Sequence, residues 1–304
     1  MADLSVNVAG VHFNSPLIAA SGTFGFGHEY SEFFDLSELG GISCKGITIK
    51  KRLGNPPPRI AETPSGIINA VGLQNPGVDH FIEKDLPWLK EQNTVIIANI
   101  AGNTSEEYAM MAEKLSHTNV DMIELNISCP NVKSGGVQFG TSCESVGAIT
   151  KTVKAHCGDK PLVVKLSPNV TNIAEIAKSA ECSGADAISM INTLTGMRID
   201  INTRRPIIRN NTGGLSGPAI FPVAVRMVWQ VANAVNIPII GMGGISTWQD
   251  AVEMLMAGAT ALQIGTCMFT DPYAPVKINA GLREYMDKNG IKSLSEITGS
   301  VEPW

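Results

Sequence analysis

Short apolar runs alternate with amphipathic segments along nearly the whole chain. The runs cover 16–20, 42–45, 95–100, 122–126, 162–166, 187–191, 237–241 and 261–264. Their brevity and the weak polar alternation within them suit strands buried on both faces. Between them the hydrophobic period changes to that of a helix. Thr104 and Glu107 have the spacing of a capping box, and Tyr108, Met111, Ala112 and Leu115 then share one face. Ile173, Ile176, Ala177 and Ala180 form a stripe ending at Gly184, and Val252, Leu255 and Met256 form another ending at Gly258, each glycine reading as a C-cap. Eight strands alternating with helices predict the α/β class, as a (β/α)8 TIM barrel.

Two stretches depart from a bare barrel. Residues 5–13 alternate apolar and polar around Ala9-Gly10, the pattern of an N-terminal β-hairpin, expected to cover the bottom of the barrel. A long insertion after the second strand, 46–94, is rich in Pro, Gly and Asn and is expected on the catalytic face. No linker composition divides the chain, so residues 1–304 are expected to form a single barrel domain.

Composition narrows the chemistry. A net charge of -5 spread thinly over 304 residues leaves no basic stripe, which argues against nucleic acid as a partner. The N-terminal residues lack a basic segment followed by a long apolar run, and no window reaches ~18 uninterrupted apolar residues, so no membrane association and a cytoplasmic location are expected. The six cysteines, Cys44, Cys129, Cys143, Cys157, Cys182 and Cys267, are dispersed and form no CxxC. The five histidines show no paired spacing. No metal site is therefore expected on this chain, and redox chemistry would need an organic cofactor.

The segment Asn126-Ile127-Ser128-Cys129-Pro130-Asn131 places one thiol between two amides just after an apolar run. Taken alone it reads equally well as a turn around a small buried thiol or as a reactive centre for a planar, hydrogen-bonding ligand. The other strand ends favour the second reading. Ser21, Lys45, Asn99, Asn126, Lys165, Asn192 and Thr193 all fall at or near strand termini, where a barrel would bring them together. After the seventh and eighth strands come Gly241-Met-Gly243-Gly244-Ile245 and Gly265-Thr266, where glycines let backbone N–H groups approach a phosphate. Gly241-x-Gly243 is not a dinucleotide fingerprint, because Ser246 stands at the third glycine position. A mononucleotide such as FMN fits better.

With these residues in view, the chain resembles the class 1 dihydroorotate dehydrogenases over nearly its whole length. The resemblance rests on Ser21-Gly22-Thr23-Phe24, Lys45-Gly46, Asn126-x-x-Cys129-Pro130-Asn131, Val164-Lys165-Leu166-Ser167-Pro168, Ile191-Asn192-Thr193, Gly213-Gly214-Leu215-Ser216-Gly217 and the two late glycine motifs. The wording of 52–59 and of Asn69-Ala70-Val71-Gly72-Leu73 is similar to subtype B, the NAD-linked form. The resemblance implies oxidation of dihydroorotate to orotate in pyrimidine (UMP) biosynthesis, with hydride transfer to one FMN per chain and Cys129 as general base. It implies FMN binding by Ser21, Lys45, Gly46, Asn99, Asn126, Lys165, Ile191, Gly217, Gly243, Gly244, Gly265 and Thr266. For substrate it implies Lys45, Asn69, Ala70, Val71, Gly72, Leu73, Asn126, Asn131, Asn192 and Thr193, with Gly135-Gly136 in a lid. It further implies a partner subunit carrying FAD and a [2Fe-2S] cluster, around a homodimer of this chain in a heterotetramer. Two related readings stay open here, a fumarate-linked subtype A enzyme and a dihydropyrimidine dehydrogenase flavin subunit.

Overall fold

The computed structural model describes residues 2–127 and 139–304. The chain opens with an antiparallel hairpin of β1 (Val6–Val8) and β2 (Val11–Phe13). Ala9 and Gly10 turn it with φ of 51° and 84°, the left-handed backbone that a tight hairpin requires. Val8 and Phe13 are fully buried against Ile18, Ile97, Met122, Val163, Ala187, Ile240 and Ala261, residues near the starts of the barrel strands. The hairpin therefore plugs the N-terminal end of the barrel, as its apolar alternation predicts.

The barrel strands are β3 (Leu17–Ala19), β4 (Gly41–Ser43), β7 (Val95–Ile100), β8 (Met122–Asn126), β9 (Leu162–Lys165), β10 (Ala187–Met190), β15 (Ile239–Met242) and β16 (Ala261–Ile264), closed in that order. Every neighbouring pair is parallel, including the closing pair of β16 with β3. Helices pack on the outside and bury the faces that the periodicity marked. Tyr108, Met111, Ala112 and Leu115 of helix Ser105–Ser116 are all buried, as are Ile173, Ile176, Ala177 and Ala180 of helix Ile173–Cys182. The capping box at Thr104 is only half formed. Thr104 Oγ1 accepts from the Glu107 amide at 3.3 Å, but the Glu107 carboxylate accepts from the Asn103 N–H instead of returning to Thr104. Among the described residues no helix is long and apolar enough to cross a membrane.

The insertion after β4 holds more regular structure than its composition suggests. It contains β5 (Ile60–Thr63), β6 (Gly66–Asn69) and a helical stretch beginning at Val78–His80 and ending at Leu86–Lys90. A second excursion follows β10, with β11 (Leu194–Gly196), a short pair β12 (Ile199–Asp200) and β13 (Arg205–Pro206), and β14 (Gly213–Ser216). The two excursions join in a four-stranded antiparallel sheet, β11-β14-β6-β5. Gly-rich β14 pairs with β6 through Gly214↔Asn69. This sheet stands over the C-terminal ends of the barrel strands, and residues from both excursions face the cleft below it.

Candidate active site

The barrel lumen is not wholly apolar. Glu124, in the middle of β8, is fully buried at 0% exposure, with polar side chains from five other strands turned toward it. Ser43 Oγ on β4 donates to Oε2 at 2.7 Å, and the Asn99 amide on β7 donates to the same oxygen. Ser189 Oγ on β10 and Gln263 Nε2 on β16 donate to Oε1 at 2.6 and 2.8 Å. The Lys165 ammonium at the end of β9 lies 4.0 Å from Oε2. Burial alone would raise the carboxyl's pKa. The Lys165 charge, followed by the hydroxyl and amide donors, outweighs burial and holds it below the usual range.

Above this cluster the strand ends open into one cleft. Ser21, Lys45, Gly46, Asn126, Lys165, Ile191, Gly217, Gly243, Gly244, Gly265 and Thr266 line it, as do Asn69, Val71, Gly72, Leu73, Asn192 and Thr193. Two of the residues expected at the site do not line it. Asn99 lies deeper, its side-chain Oδ1 accepting from Asn126 Nδ2 at 3.2 Å, and Ala70 is buried in a small cluster with Ile68 and Ile208. Cys129, Asn131 and Gly135-Gly136 fall outside the described residues.

Each corner of the cleft has a distinct chemistry. Lys45 lies just beyond β4, where burial and then the nearby Arg59 charge lower its pKa against the opposing pull of Glu29. Asn192 folds back so that its side-chain oxygen accepts from the Thr193 N–H at 2.8 Å. On the far side Gly217 and Gly244 have φ of +102° and +81°, and a Cβ on Gly244 would stand 2.8 Å from the Gly217 carbonyl oxygen. Only glycine allows these backbones to approach each other so closely. Gly244 also packs against the N-terminus of helix Phe221–Ala232, and Thr266 Oγ1 donates to Ser216 Oγ at 3.0 Å beside it. Cys267 lines the cleft too, but burial pushes its thiol up to about 12.

Reading by strand ends missed Glu124, Gln263, Ser43 and Ser189, which lie inside the apolar runs. The signal was present as single polar residues interrupting buried strands, Ile123-Glu124-Leu125 above all. Ile60, Ile67 and Ser216 were missed for another reason, since they reach the cleft only through the roof sheet.

A closed parallel barrel with lysines, amides and close-packed glycines at its C-terminal face defines a (β/α)8 protein with a site for a polar, anionic ligand. The family described as dihydroorotate dehydrogenase matches residues 3–286. The chain is 54% identical over 303 residues to the dihydroorotate dehydrogenase B (NAD(+)) catalytic subunit of Bacteroides thetaiotaomicron, covering 99% of this chain and 100% of that one. It is 56% identical over 299 residues to the protein of the same name in Alkaliphilus metalliredigens, covering 98% and 99% of the two chains. For the one in Petrotoga mobilis the figures are 54% over 301 residues, covering 99% and 100%. The chain belongs to the dihydroorotate dehydrogenase family.

Proposed function

We propose that this chain is the catalytic subunit of an NAD-linked dihydroorotate dehydrogenase and oxidises dihydroorotate to orotate in pyrimidine biosynthesis. The observation that carries this reading is the meeting of Lys45, Lys165, Asn69, Asn126, Asn192 and Thr193 in one cleft of a family barrel. Dihydroorotate presents a carboxylate and a ring of alternating donors and acceptors, and ammonium and amide groups are suited to bind it. The catalytic-subunit and NAD(+) wording in the relatives' names supports the NAD-linked form over a fumarate-linked or dihydropyrimidine enzyme.

The residues present fit FMN. The Gly217 and Gly244 corner leaves no room for a Cβ, as a backbone cradle for a phosphate requires. Gln263 borders the cleft, and its buried Oε1 lacks a hydrogen-bond partner, so it offers an acceptor to a bound ring N–H. When bound, FMN would supply the acceptor for the hydride leaving the substrate. Ser21, Gly46, Ile191, Gly217, Gly243, Gly244, Gly265 and Thr266 would hold it, together with Lys45, Asn126 and Lys165, while Asn99 would act from beneath through Asn126. Lys165 would place a positive charge where negative charge accumulates on reduction. Lys45, Asn69, Val71, Gly72, Leu73, Asn126, Asn131, Asn192 and Thr193 would orient the substrate. Cys129 would take the C5 proton.

The same reading treats residues 1–304 as one barrel domain in the cytoplasm. It gives the chain a homodimer core and a partner subunit carrying FAD and a [2Fe-2S] cluster, in a heterotetramer. The test is direct. Denaturing the purified protein should release FMN, and anaerobic dihydroorotate should bleach the bound flavin. Release of FAD, or no bleaching, would sink the assignment.

A further inference from the structure

We infer that Glu124 is a positioning residue of the site: its carboxylate holds the Lys165 ammonium and sets which way the Asn99 and Asn126 amides face. The inference deepens the flavin reading and rests on it for its consequence in catalysis.

An ionised carboxylate only accepts hydrogen bonds, at about four lone-pair positions. Here Ser43, Asn99, Ser189 and Gln263 supply four donors, two to each oxygen. Two of those donors, the Asn99 and Gln263 NH2 groups, cannot accept in return. A proton on Glu124 would therefore displace a donor, so the full set of donors favours the anion.

The polarity then passes outward. With its NH2 turned to Glu124, Asn99 must present Oδ1 to the cleft side, where it accepts from Asn126 Nδ2 at 3.2 Å. Asn126 lines the cleft at the end of β8, and Gln263 is turned the same way, its Nε2 inward and its Oε1 left over. One carboxylate thus fixes the donor and acceptor sense of three amides. It also stands 4.0 Å from Lys165, which is 5% exposed. An ammonium so buried is costly without an opposite charge. The other titratable groups lining the described cleft are Lys45, which would repel it, and Cys267, neutral near pH 7. Glu124 alone of these supplies the negative charge.

The test uses the purified full chain as it stands. Competitive acylation with acetic anhydride at fixed pH, quantified by peptide mass spectrometry, reports how readily the Lys165 amine reacts. Glu124→Gln keeps the shape and removes the charge. Lys165, its counter-charge gone, should then be labelled about tenfold faster than in the wild type, while the exposed Lys288 is unchanged. The same labelling rate at Lys165 would overturn the inference. Thermal melts of Glu124→Gln, Lys165→Met and the double variant supply a second readout that does not require the single variant to be well folded. If the two groups support each other, the double variant should lose less than the two singles together. Additive damage, or insolubility of the double variant, would overturn the pairing. Absence of FMN from the purified protein would count against the proposed function alone, whereas unchanged labelling in a protein that binds FMN would count against this inference alone.

Discussion

The Tyr108 hydroxyl donates to the Asn126 backbone carbonyl at 2.8 Å, joining a helix on the outside of the barrel to the strand end from which the Cys129 segment departs. Tyr108 is fully buried, and its ring packs edge-on against Phe139, the first described residue after that segment. One side chain therefore braces both ends of the stretch that carries the proposed base. Tyr108→Phe keeps the ring and removes the donor. It should cost about 1 kcal/mol in denaturant unfolding and slow flavin reduction by dihydroorotate more than it weakens orotate binding. Equal effects on both would place the bond outside the base's support.

The thiols separate by environment. Cys267 borders the cleft, but with its pKa pushed up to about 12 it is a poor base near neutral pH. Cys129→Ser should slow flavin reduction by about 10²- to 10⁴-fold in rapid mixing, while Cys267→Ser stays within a few-fold of wild type. The reverse order would move the base to Cys267.

Gly244→Ala tests the anion corner. The new methyl would meet the Gly217 carbonyl oxygen at 2.8 Å on a backbone with φ of +81°. Left-handed geometry alone costs a non-glycine residue about 1–2 kcal/mol, so the corner must shift. Titration with FMN should show at least a tenfold weaker complex. Riboflavin, which lacks the phosphate, should be affected much less. Equal losses for both would remove the phosphate from this corner.

Acid should erase the contribution of Glu124. Its pKa in the folded protein is below the ordinary value of 4.5, so the stability it adds is present above that value and is lost as pH falls through the lower folded one. The melting temperatures of wild type and Glu124→Gln should differ most near neutral pH and draw together as pH falls below 4.5. A constant gap down to pH 3 would mean the carboxyl is not the source of the difference.

Electron exit gives the last prediction. On the proposed reading, flavin reduced on this chain passes its electrons to NAD through a partner subunit, and the sequence itself carries no Rossmann fingerprint and no clustered cysteines. The isolated chain should reduce artificial dyes with dihydroorotate and be nearly inactive with NAD until the partner is added. Rapid NAD reduction by the chain alone would refute this, and efficient use of fumarate would indicate the subtype A reaction.

Hydrophobic periodicity by itself determined the hairpin, the eight barrel strands to within two residues at each end and the helix faces, because burial on a strand or helix is a local, repeating property. It also marked the polar strand ends, since a barrel converges those ends whatever the side chains are. Only the tertiary structure decided which polar groups meet inside the lumen. Ser43, Asn99, Ser189 and Gln263 lie 81, 25, 65 and 139 positions from Glu124, and only closure of the barrel turns them toward one carboxylate. The roof of the cleft is tertiary in the same sense. β6 carries little strand signal of its own, and Gly-rich β14 carries less. They become a sheet because Asn69 and Gly214 are held side by side across 145 positions of sequence, where each strand satisfies the other's backbone hydrogen bonds.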